Sequence, residues 1–99
     1  MKVEKSHHID CSEKDENGLY DYYYEYDIYR FIENDIAFIV RRYTDEENNA
    51  HFLRKEIQGK RQHLKPEDLN NSLFKEAVNH LKSENISKIE WLDDEYKEI

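Results

Sequence analysis

Four side chains able to bind metal or act on a substrate, His7, His8, Asp10 and Cys11, fall within five positions near the start of the 99-residue chain. A zinc site draws about four such ligands into a tetrahedron. No second group follows at finger-like spacing, and neighbours in a polar arm do not converge on one point, so an arm is expected there and not a metal centre. Cys11 as a nucleophile needs an adjacent base and an electropositive setting. Its setting is acidic, and as the single cysteine it forms no internal disulfide.

His51, His63 and His80 are scattered, and no serine or acid is tied to any of them by a motif. Each is read as a surface histidine, with His51 on a sheet and His80 on the solvent side of a helix. Only two glycines occur, too few for a phosphate-cradling loop. The sequence therefore carries no catalytic, metal or cofactor signature, and a non-enzymatic role is expected.

The chemistry that remains is that of a surface. Residues 20–31, YDYYYEYDIYRF, hold six tyrosines, one phenylalanine and three acids. Even positions from Tyr20 to Ile32 are mostly aromatic or aliphatic, whereas odd positions carry Asp21, Glu25 and Asp27 between Tyr23, Tyr29 and Phe31. Alternation with aromatic enrichment predicts a half-buried strand. The even side is expected to face the core. The odd side (Asp21, Tyr23, Glu25, Asp27 and Tyr29) is expected to be the open, partner-binding side, because tyrosine is enriched where interfaces carry their energy.

These residues need a framework. Glu33-Asn34-Asp35 reads as a turn, since Asn and Asp tolerate left-handed backbone. A three-residue loop, setting Ile32 opposite Ile36 and Ile28 opposite Val40, is preferred because it gathers aliphatics on one side. Strands are expected from Ile36 to about Tyr43, from Ala50 to Ile57, and from Arg61 to Leu64, where Lys65-Pro66 ends the last. Residues 66–71 read as a turn or loose helical turn. Leu73, Phe74, Ala77, Val78 and Leu81 then lie at the spacing of one helical face, predicting a helix over Ser72–Glu84. Asn71 or Ser72 can cap its start, and Asn85 suits the left-handed position after its end. Ile86–Leu92 reads as a last strand.

The expected fold is α+β and two-layered: an antiparallel sheet of three to five strands in ββββαβ order, with one helix on one face. Residues 1–18 are expected to be a flexible acidic arm bounded by Gly18, residues 19–92 the single domain, and residues 93–99 a charged tail. The longest apolar run, Ile36–Val40, is far short of the roughly 20 residues that span a bilayer. The N-terminus lacks the apolar stretch of a secretory signal. A cytoplasmic location is expected.

Net charge is −8, and residues 1–49 carry most of it, with 6 Lys/Arg against 13 Asp/Glu. Affinity for nucleic acid rests on cations that neutralise phosphates, so free DNA or RNA is a poor partner, as is an anionic membrane. The segment 51–65 is locally basic, with Arg54, Lys55, Lys60, Arg61 and Lys65 against Glu56. It is expected to balance the acidic strand internally, with Arg41 and Arg42 pairing across to Glu25 or Asp27, or to form a second contact patch. The charge as a whole suits a basic protein partner. The expected function is a small binding module that neutralises or regulates such a partner by occlusion, a requirement shared by immunity proteins and by inhibitors that imitate DNA. The alternatives are self-association through an open face or free edge, giving a homodimer, and a ligand-binding or enzymatic domain with a His–carboxylate pocket.

Overall fold

The computed structural model describes residues 1–99. Strands β1 (Lys2–Cys11), β2 (Tyr23–Glu33), β3 (Ile36–Tyr43), β4 (Asn49–Ile57) and β5 (Lys60–Gln62) precede helix α1 (Ser72–Ser83). Strands β6 (Lys88–Leu92) and β7 (Tyr96–Glu98) follow it. Single turns of 3-10 helix occupy Thr44–Glu46 and Pro66–Asn70. The class is α+β, as expected, but the sheet has seven strands and is mixed. Its order is β1-β2-β3-β4-β6-β7, with β5 on the remaining length of the β4 edge.

The strand expected last, β6, pairs with β4 in parallel, through Ala50 with Ile89 and Phe52 with Trp91. Parallel neighbours need a long crossover, and the segment containing α1 supplies it. Helix α1 starts where Asn71 accepts a hydrogen bond from the Leu73 amide at 2.8 Å, and Asn85 takes a φ of 65° just past its end. Its five apolar residues are all buried.

The β2–β3 hairpin corrects the expected register. Its loop has two residues, Asn34 and Asp35, with Asn34 at a φ of 53°. Phe31 therefore faces Phe38, and Tyr29 faces Val40. A one-residue change of register turns every side chain over, so the odd side of β2, not the even side, lies under the helix. Phe31, Phe38, Phe52, Phe74, Leu81, Ile89 and Trp91 form the core there with Tyr29. Burying such a side chain contributes roughly 1.5–3 kcal/mol. The even-side aliphatics lie on the open face, where Ile39 is nonetheless buried beside Arg30, its neighbour on β2, and Arg54, its neighbour on β4. Glu56 on that face meets Arg30 at 3.2 Å and Arg54 at 3.4 Å.

Residues 1–18, expected as a flexible arm, instead open with the ten-residue strand β1, paired along its whole length with β2. Gly18 does not end an arm. It lies in the turn of a long β1–β2 hairpin, with a φ of 78° that suits glycine, and Asp15 Oδ1 accepts from the Asn17 and Leu19 amides. The tail after Leu92 forms β7, which pairs with β6.

Candidate functional site

Strand β3 ends at Tyr43, opposite Tyr26, whereas β1 and β2 continue past it. From there residues 8–26 run as a two-stranded ribbon closed by the Gly18 turn, in a molecule 50 Å long and under 30 Å in its other dimensions. The ribbon has six carboxylates (Asp10, Glu13, Asp15, Glu16, Asp21, Glu25) against one ammonium, Lys14, for a net charge of −5. Tyr20, Tyr22, Tyr23 and Tyr24 on it are each 41–51% exposed, and Ile9 and Leu19 are more exposed still.

Adjacent strand residues point to opposite faces, which sorts the expected residues. His7, Ile9 and Cys11 share the helix side with Tyr23, Glu25 and Asp27, while His8 and Asp10 share the open side with Tyr24 and Tyr26. This separates the four N-terminal ligand types, and no group of three or more His, Cys, Asp or Glu side chains is placed to hold a metal ion.

Of the expected partner-binding residues, Asp21, Tyr23 and Glu25 lie on the ribbon, with Asp21 and Tyr23 exposed and Glu25 partly so. Asp27 is partly covered. Tyr29 is wholly buried, and its hydroxyl donates to Glu84 Oε1 at 3.0 Å. It belongs to the core because the two-residue turn sets it beneath α1, and it is withdrawn from the surface. Sequence reasoning missed Tyr22 and Tyr24, which the same turn moves to the open face. There Tyr22 and Tyr24 stack at 6.0 Å, Tyr43 packs on both Tyr24 and Tyr26, and His8 stacks on Tyr26 at 5.4 Å. The signal was present in the sequence as Asn-Asp, a pair suited to a tight turn.

Where β3 stops, β2 loses its neighbour and a shallow notch opens. It is lined by Tyr23, Tyr24, Glu25, Tyr43, Thr44 and Asp45. Tyr23 donates to Glu25 Oε1 at 3.4 Å. Its pKa is raised above the ordinary 10.0, first by partial desolvation and then by the Glu25 charge, so the hydroxyl stays a donor. The notch thus offers three phenol rings and two carboxylates.

His7 governs the charge beside it. Its Nδ1 lies 2.7 Å from Asp27 Oδ1 and its Nε2 2.8 Å from Glu25 Oε2. Only the imidazolium has two N–H donors to give, so the hydrogen bond to Asp27, then that to Glu25, holds the His7 pKa above its ordinary 6.5. The favourable contribution of this clamp is complete below pH 6.5 and is lost as pH rises through the raised value. In a proton NMR titration the His7 ring is expected to reach its midpoint above 6.5 and to fall back toward 6.5 in Glu25→Gln/Asp27→Asn. A midpoint at or below 6.5 in the native chain contradicts the clamp.

The expected internal balancing of charge takes other routes. Arg42 is opposite Asp27 in register, but its Nε donates to the Glu47 carbonyl at 2.7 Å, and Asp27 is held by His7 and Lys5. Lys55, almost fully buried, donates to both oxygens of Asp68 at 2.9 Å. Two further histidines meet carboxylates: His51 lies 3.3 Å from Glu90 and His80 2.7 Å from Glu84. His51 is capped by the Tyr96 ring at 4.6 Å, and the Tyr96 hydroxyl accepts from Arg41. His80 sits edge-on to Phe31 on the helix flank. No helix is long and apolar enough to cross a membrane. Compared with family models, curated proteins and solved structures, the chain matches none of them.

Proposed function

We propose that this chain is a protein-binding module that occludes a basic partner, and that the β1–β2 ribbon is the gripping element. The observation that carries this reading is the combination, on one projecting ribbon, of a net charge of −5 with four exposed tyrosines. Charge of one sign steers a partner of the other and raises its rate of encounter. Tyrosine then adds rigid contact area at low entropic cost, since it has only two side-chain torsions to fix.

The notch gives the contact a centre. An arginine or lysine of the partner enters the notch at the free edge of β2, between Tyr24 and Tyr43 on the open side and Tyr23 and Glu25 on the helix side, with Asp45 also in the lining. Asp21 adds to the field at the notch, and Asp27 contributes through the His7 clamp. Rising pH discharges His7, which removes one positive charge from beside Glu25 and Asp27 while Lys5 stays near Asp27, and strengthens the contact.

Affinity capture from native lysate at about 0.05 M and about 0.5 M salt, read by mass spectrometry, tests the reading. A protein of high isoelectric point, recovered at low salt and lost at high salt, is the expected result. Recovery of acidic proteins, or of a partner indifferent to salt, contradicts it.

A further inference from the structure

The outer edge of β1 has no strand beside it. It is ten residues long, its pairing with β2 has no bulge, and it contains no proline. Shortness, bulges and proline are devices by which proteins blunt an open edge, and β1 uses none of the three. β1 is also the electrically balanced part of an acidic half-chain, with Lys2 and Lys5 against Glu4 and Asp10.

The hydrogen-bond phase of β1 restricts what can pair with it. The Ser12 amide donates to the Tyr22 carbonyl, and the two-residue turn makes Glu33 and Ile36 a bonded pair. By alternation, the even residues of β1 direct their backbone groups to β2, while Val3, Lys5, His7 and Ile9 direct theirs outward. A second β1 running antiparallel must therefore match odd residues with odd. Three such registers keep most of the strand paired, and they differ in charge. Centring on Lys5 sets lysine against lysine, and centring on His7 sets Glu4 against Asp10 twice.

Centring on Ser6 sets Lys2 against Asp10, Glu4 against His8 and Val3 against Ile9, each pair twice by symmetry. Its one like-charged juxtaposition, Lys5 with His7, lies over Asp27 and Glu25, which already hold both cations. We infer that β1 pairs antiparallel with β1 of a second copy of this chain about a two-fold axis at Ser6. The two sheets then join through one continuous edge, with the ribbons pointing to opposite ends of the dimer. This surface is separate from the notch, and its test does not depend on a basic partner.

Sedimentation equilibrium on the full chain at low salt measures the association. The native chain is expected to dimerise. Lys2→Glu and Asp10→Lys, neither residue being an ion-pair partner within the chain, are each expected to weaken dimerisation about tenfold, since each reverses two cross-strand pairs. The double variant Lys2→Glu/Asp10→Lys is expected to restore it. A native chain that stays monomeric at about 0.1 mM, a dimer indifferent to both single changes, or a double variant no better than the singles overturns the inference.

Discussion

Replacing Phe74 with alanine is expected to remove about 3–5 kcal/mol of folding stability, the usual loss for a large aromatic in a packed core. Phe74 is 1% exposed and joins the two layers. Its ring stacks on Phe52 at 4.2 Å and meets Phe38 edge-on at 5.2 Å. Alanine leaves both rings facing a void that the sheet cannot collapse to fill. Native domains hold only about 5–15 kcal/mol in total. At roughly 4–8 °C per kcal/mol for a domain of this size, the melting temperature falls by on the order of 15 °C or more. Urea denaturation followed by tryptophan emission measures the loss, because Trp91 lies in the same core. A change under about 1 kcal/mol, the scale of a surface substitution, would show that α1 does not seal this side of the sheet.

The helix was legible because its information is periodic and local. Five apolar residues at helical spacing define a face whatever the rest of the chain does, and Asn71 and Asn85 mark its ends by side-chain chemistry and by left-handed backbone. The strand character of residues 23–43 was legible for a similar reason. Which side of β2 is covered was not. Both sides carry aromatics and aliphatics, so the answer rests on whether the turn holds two residues or three. Gathering Ile28, Ile32 and Val40 favoured three. The chain instead places Phe31 on Phe38 beneath α1, and leaves Ile28 and Ile32 partly covered on the open face.

Strands β1 and β7 left almost no trace in the sequence. An edge strand that is wet on both faces needs no hydrophobic alternation, and backbone pairing has no side-chain code. Lys2–Cys11 therefore reads as a polar arm although all ten residues pair. The parallel pairing of β6 with β4 is likewise a consequence of where α1 returns the chain. Of the residues expected at the surface, Asp21 and Tyr23 are exposed and Glu25 partly so, although the side of β2 they share is the one α1 covers further along. Tyr29 was lost, and Tyr22 and Tyr24 were gained, through the single step in register.

The second large effect concerns binding. Tyr23 and Tyr24 are about half exposed, and Asp21 is exposed, so altering them takes nothing from the core. Interface energy concentrates in a few aromatic and charged anchors, worth about 2 kcal/mol or more each. The combined variant Asp21→Asn/Tyr23→Ser/Tyr24→Ser/Glu25→Gln is expected to weaken the captured basic partner at least about a hundredfold, or roughly 3 kcal/mol. Its melting temperature is expected to stay within a few degrees of the native value, because surface changes are usually worth about 0.5 kcal/mol or less and Glu25→Gln leaves His7 its bond to Asp27. Calorimetric titration of the partner into the native chain and into this variant, at one low salt concentration, is the direct measurement. Loss of binding by a variant that melts like the native chain is the predicted result. Native affinity in that variant would mean that the tyrosine-lined acidic ribbon is not what holds the partner.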